Sequence, residues 1–178
     1  MITPDTKDWT WVLQRACGDC GLDTPAIVRE ELPALVRADA AAWAAHLTGR
    51  PAAELRRRPR PEVWSDLEYA CHVRDVLRLW DFRLGLALTQ DGPRFVNWDQ
   101  DEAAVADRYG EQDPSAVAAE LAAAADTLAE SLAAVRGEQW LRPGFRSDGL
   151  RFTVESFSRY LLHDVVHHLH DVTGQPIG

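Results

Sequence analysis

Phe157-Ser158-Arg159-Tyr160-Leu161-Leu162-His163-Asp164-Val165-Val166-His167-His168-Leu169-His170-Asp171 is the stretch whose reading decides the fold. Phe157, Tyr160, Leu161 and Val165 recur at three- and four-residue steps, the pattern of a helix with one apolar face. Thr153 ahead of it is a capping residue, and Gly174 with Pro176 behind it ends the helix. Four of the chain's six histidines fall inside eight residues of this helix. His163 and His167 are four apart, so both rings stand on one side about one turn apart, where they can share one metal ion. A metal that does chemistry takes three protein ligands and keeps one position open, so a third donor is needed. His170 is a poor one, because the helix rise carries it about 10 Å from His163.

Outward from that stretch, the next informative segment runs from Pro61 to about Leu88. Trp64, Leu67, Ala70, Cys71, Val76, Leu79 and Phe82 fall on or near one inward face, with His72 among them. A lone histidine in an apolar stripe is more often a core residue than a ligand; opposite His163 and His167 it becomes the better third donor. Asp23-Thr24-Pro25 opens a helix carrying Leu32, Leu35, Val36, Trp43 and Leu47, which Gly49-Arg50-Pro51 stops. His46, near its end, reads as a solvent-facing or capping residue. Asp113-Pro114 opens another helix, which runs through alanine-rich sequence to about Val135 after a short lead-in over 101–109. The expected fold is all-α: a four-helix bundle over 24–178, with metal donors supplied from facing helices, and a non-helical N-terminal arm over 1–23 packed on it.

The connections are less informative. Arg56-Arg57-Arg58 and Arg60 form a short basic run that reads as a solvated loop. Asp91-Gly92-Pro93 is a turn, and Phe95 and Trp98 after it either pin the loop to the bundle or wall a site. Trp140 and Phe145 anchor the connection over 137–149. The arm carries Trp9, Trp11 and the pair Cys17-x-x-Cys20. That spacing suits a zinc knuckle, but a structural zinc takes four ligands, usually from a second such pair, and the sequence has none. The pair therefore reads as two small residues in a tight turn, with half of a metal site or a redox dithiol as alternatives.

Composition excludes several classes. At 178 residues, 46% hydrophobic and 26% charged, the chain is long enough to bury a core unaided. A net charge of −9 argues against nucleic acid or an anionic membrane as partner. Three cysteines do not make a secreted disulfide framework. The start lacks a basic segment followed by an apolar one, and no apolar run approaches the ~18 residues of a membrane span. A cytoplasmic location is the expectation.

Trp64-Ser65-Asp66-Leu67-Glu68-Tyr69-Ala70-Cys71-His72-Val73-Arg74-Asp75, followed far downstream by His163-Asp164-Val165-Val166-His167, resembles the DinB-like superfamily (DinB/YfiT type). Its members include the N-terminal domains of mycothiol-dependent maleylpyruvate isomerases and the bacillithiol transferases. The resemblance spans about 24–174 and implies a four-helix bundle. It also implies a divalent metal held by a histidine on the second helix and a late His-x-x-x-His or Glu-x-x-x-His pair. The matching positions are His72, His163 and His167; zinc is the first choice of metal, with nickel, copper or iron as alternatives. Such proteins use the metal to bind a low-molecular-weight thiol such as mycothiol, whose thiolate attacks a small electrophile in an isomerase or transferase reaction. A small-molecule thiol and an electrophilic substrate are the implied partners, with a homodimer the assembly left open. The same residues also fit a non-catalytic, metal-bound binding or dimerisation module. The sequence departs from many relatives at Leu169-His170, where they carry a small residue and then Gln. His168 is expected to face away, and Asp164 and Asp171 to sit behind the ligands or at the surface. The arm with Cys17 and Cys20 lies outside the common bundle.

Overall fold

The computed structural model describes residue 2 and residues 7–175, so the expected stop at Pro176 lies outside the described residues. In chain order the helices are α1 (Leu32–Thr48), α2 (Ala52–Leu55), α3 (Asp66–Thr89), α4 (Gln100–Ala106), α5 (Pro114–Ala134) and α6 (Val154–Thr173). Two three-residue strands, β1 (Pro143–Phe145) and β2 (Arg151–Thr153), form an antiparallel hairpin just before α6. The four long helices are α1, α3, α5 and α6, and they form the bundle. α1 and α3 each pack against both α5 and α6, which leaves α1 diagonal to α3 and α5 diagonal to α6.

Local sequence sets the helix boundaries. Ser65 caps α3 through a reciprocal box: its Oγ accepts from the Glu68 N–H at 3.3 Å, and Glu68 Oε2 accepts from the Ser65 N–H at 2.8 Å. The box places the start of α3 at Asp66, five residues past the expected neighbourhood of Pro61. Asp113 caps α5, with Pro114 at the first helical position, and Thr153 caps α6. Gly174 ends α6 with φ +66°, a left-handed conformation that glycine adopts without strain.

The first helix begins at Leu32, not at Pro25. Residues Thr24–Ala26 and Arg29–Glu31 form separate 3-10 turns, with Ile27 and Val28 extended between them. Thr24 is buried, and its hydroxyl donates to the Val12 carbonyl instead of capping a helix. The Arg159 guanidinium holds the Ile27 carbonyl at 2.8 Å. Tertiary partners thus take the groups a helix would have used. Phe82 also departs from expectation: it is 63% exposed. The inward face of α3 runs through Val73, Val76, Leu77, Trp80, Leu84 and Ala87, and Phe82 sits two residues past Trp80, on the other side.

The core is aliphatic, with indoles locking α6 in place. Leu67, Leu77, Leu121, Leu128, Leu132 and Leu161 are fully buried. Trp43 on α1 donates to the Val165 carbonyl at 3.4 Å, and Trp80 on α3 donates to the Phe157 carbonyl at 3.2 Å. α6 is thereby fixed in rotation against both neighbours. The segment Thr10–Leu13 and the turn Thr24–Ala26 pack on α6 as well. No helix among the described residues is long and apolar enough to cross a membrane.

Candidate functional site

His163, Asp164, His167 and His168 span about a turn and a half of α6, and helical geometry decides which side chains meet. Each residue advances about 100° around the axis, so the stripe through His163 and His167 and the stripe through Asp164 and His168 face different neighbours. The expected set of His72, His163 and His167 is divided accordingly. His72, on α3, meets Asp164 and His168, with one donor atom from each within 4.8 Å of the others. His163 and His167 turn to the N-terminal arm, where they meet Cys17 and Cys20 under the same criterion. His168 does not face away, and Asp164 does not sit idle on the surface.

The His72 cluster is built for a cation. His72 is 2% exposed, and both of its ring nitrogens are buried without a hydrogen-bond partner. Its Nε2 stands 4.0 Å from Asp164 Oδ2. An unpartnered imidazole nitrogen in the interior costs about 1–3 kcal/mol, and a metal ion would satisfy it. Burial, helped by the nearby His168, drives the His72 pKa well below its usual value, so the ring is neutral and its lone pair available. His168 Nδ1 lies 3.2 Å from Asp171 Oδ2, which leaves its Nε2 toward Asp164 Oδ1 at 3.8 Å. A carboxylate behind a ligand ring in this way fixes tautomer and direction. Burial alone would raise the pKa of Asp171, but the hydrogen bond from His168 and the charges of the neighbouring imidazoles hold it below the ordinary carboxylate range.

Aromatic rings surround the cluster. Trp98 stacks on His72, with centroids 5.5 Å apart and planes 16° apart. Trp64 lies 5.1 Å from His72, and Tyr69 lies 5.2 Å from His168. Above them opens a pocket of about 750 Å³ whose lining includes Trp9, Trp64, Tyr69, Trp98, Asp164 and His168, with Lys7 and Arg60 of one charge and Glu62, Asp99 and Asp101 of the other. His72 lies beneath this floor. The loop after α3 thus does both things its sequence suggested: Phe95 is buried in the core, stacked on Phe157 at 5.1 Å, while Trp98 reaches the pocket. Arg58, from the basic run, is no freely solvated side chain, because it clamps Glu68 beside the α3 cap.

The second cluster is more enclosed. Cys17 and Cys20 are buried, and both are free thiols. Cys17 Sγ is 3.6 Å from His167 Nδ1, and Asp171 Oδ1 is 3.6 Å from His167 Nε2. His163 is 3% exposed, with its Nε2 buried and unpartnered. Burial, with the charges of His167 and His168, holds His163 down at about 4. Trp9 covers both rings, at 5.3 Å from His163 and 4.7 Å from His167.

Residues 34–172 match the family model of the DinB superfamily. Among solved structures, YfiT from Bacillus subtilis, described as a probable metal-dependent hydrolase with an unusual four-helix bundle topology, superposes with a TM-score of 0.74 at 17% identity. That likeness covers 82% of this chain and 86% of the other. A variant of the mycothiol-dependent maleylpyruvate isomerase superposes with a TM-score of 0.69 at 15% identity, covering 86% of this chain and 64% of that longer one. At such identities the likeness speaks to the fold. No curated protein matches the chain.

Proposed function

Because this chain belongs to the DinB superfamily, we propose that His72, Asp164 and His168 hold a divalent metal and that the pocket above them is the active site of a thiol-dependent transferase or isomerase. The observation that carries the reading is His72: a fully buried imidazole with two unpartnered nitrogens, facing a carboxylate and a second imidazole at the floor of an open pocket. Two imidazoles and one carboxylate are a three-ligand set that suits zinc or a neighbouring first-row metal and leaves a coordination position for a small molecule. The two structural neighbours, one described as probably metal-dependent and one as mycothiol-dependent, are consistent with this chemistry.

A metal held here would supply Lewis acidity, lowering the pKa of a bound thiol so that thiolate is present near neutral pH. The chain's own residues do the rest. Asp171 holds the His168 ring in one orientation. Trp98 and Trp64 cover His72 and keep water from its face. Lys7 and Arg60 share the mouth with Glu62, Asp99 and Asp101, so it offers charges of both signs to a polar thiol or substrate. An open pocket with indole and charged walls supports catalysis over the alternative, a closed metal position in a non-catalytic bundle.

The test is metal content of tag-free protein together with thiol consumption against a panel of small electrophiles, mycothiol-type thiols among the donors. His72→Ala is expected to lose the pocket metal and the thiol activity together. Full metal and undiminished activity in that variant would exclude the site.

A further inference from the structure

We propose a second metal site, with a donor set separate from that of His72, Asp164 and His168: a Cys2His2 zinc position formed by Cys17, Cys20, His163 and His167, which staples the N-terminal arm to α6. Its four donors come from two segments 150 residues apart at the Cys17–His167 contact. All four donor atoms lie within 4.8 Å of one another. Donors of a tetrahedral zinc, at about 2.0–2.3 Å from the ion, stand about 3.3–3.8 Å apart. The 3.6 Å from Cys17 Sγ to His167 Nδ1 is one such edge.

The arm is shaped for the task. Cys17-Gly18-Asp19-Cys20-Gly21-Leu22 forms a tight knuckle: the Gly21 N–H donates to the Cys17 carbonyl at 3.0 Å, and the Cys17 N–H donates to the Leu22 carbonyl at 2.9 Å. Gly21 has φ +80°, which a side chain would strain. The turn brings both sulfurs to one side, and the Leu22 N–H is aimed at the Cys20 sulfur, a bond that stabilises a thiolate. On the helix, His163 brings a donor atom within 4.8 Å of the other three, and its Nε2 is buried and unpartnered. Asp171 backs His167 from the side away from Cys17, so one carboxylate steadies a ring in each site.

Two competing uses of these cysteines fit less well. A disulfide would leave both histidines unexplained, and the sulfurs are free. A reactive redox dithiol needs an accessible thiol, whereas both cysteines are buried. Four protein donors fill a tetrahedral zinc, so the site has no place for substrate and is structural. Its reach is still functional, because Trp9, His163 and His167 form one side of the pocket.

Cobalt substitution of tag-free protein tests this, since the pocket set of His72, Asp164 and His168 contains no sulfur. Wild-type protein is expected to bind two ions per chain, one of them giving a thiolate-to-cobalt charge-transfer band in the near ultraviolet. His72→Ala should keep that band and lose one ion. Cys17→Ser/Cys20→Ser should lose the band and keep the other ion. If the double variant does not fold, titrating native protein with a mercurial reagent serves instead: release of one zinc as two thiols react supports the site. A wild-type protein that shows no sulfur band, or whose cysteines react freely with no metal released, would overturn it. Loss of the pocket ion alone would sink only the reading of function.

Discussion

His168 and His163 differ by five residues and one helical stripe, and the two should separate cleanly under substitution. His168→Ala is expected to behave like His72→Ala, losing one metal equivalent and the thiol activity, because both rings face Asp164. His163→Ala should lose the other equivalent and retain the sulfur-free one; metal analysis of the three variants checks this. Asp171 touches a ring in each cluster, so Asp171→Asn is expected to weaken metal binding at both, on the order of 10–100-fold, measurable by competition with a chelator. This residue-level division was not legible beforehand. An i, i+4 rule is satisfied by His163/His167 and by Asp164/His168 alike, and only the rotation of α6 against α3 chooses between them. That rotation is set by Trp43 and Trp80 bonding to α6 carbonyls, contacts no spacing rule contains. The resemblance did allow a carboxylate in the first position of the late pair, and that was the one available signal for Asp164.

Elements were easier to read, because caps are local. Asp113-Pro114 and Thr153 sit where they were expected, at the starts of α5 and α6, whereas the start of α1 was lost when Thr24 turned to a tertiary partner. The start of α3 yields a pH prediction. Glu68 serves the cap of α3 and the Arg58 guanidinium together. Its burial would raise its pKa, but the bonds from Arg58 and Ser65 outweigh that and leave it below the ordinary carboxylate range. A carboxylate with a depressed native pKa contributes stability that is fully present above its unfolded pKa and is lost as pH falls through the native one. Glu68→Gln should therefore destabilise the protein at pH 7 by about 1–3 kcal/mol, and the difference should shrink as the pH is lowered below about 4. Urea unfolding at the two pH values measures it. A deficit that does not change with pH would mean that the lost packing, not the charge, is responsible.

At the scale of the whole molecule, the bundle follows from amphipathic periodicity, but the attachment of the arm does not. Cys17-x-x-Cys20 lacked a second pair nearby, and its partners are histidines about a whole chain length away, brought within reach only because the arm lies along α6. Closing so long a loop costs entropy that grows only slowly with length, and a structural zinc can offset it many times over, at about 10–16 kcal/mol of binding energy in small zinc domains. Among the described residues the arm has little else: 3-10 turns, no strand pairing, and a few indoles and leucines packed on the bundle. Most of the aliphatic core comes from the four long helices, with Cys17, Cys20 and Ile27 joining it. Stripping the metals with a strong chelator should therefore act locally. Amide exchange is expected to accelerate over residues 10–31 and at the end of α6, while α3 and α5 keep their protection. Readding zinc to His72→Ala, which lacks the pocket ion, should restore protection of the arm; restoration that instead requires an intact His72 would assign the arm's order to the pocket metal and leave the cysteines without a structural role.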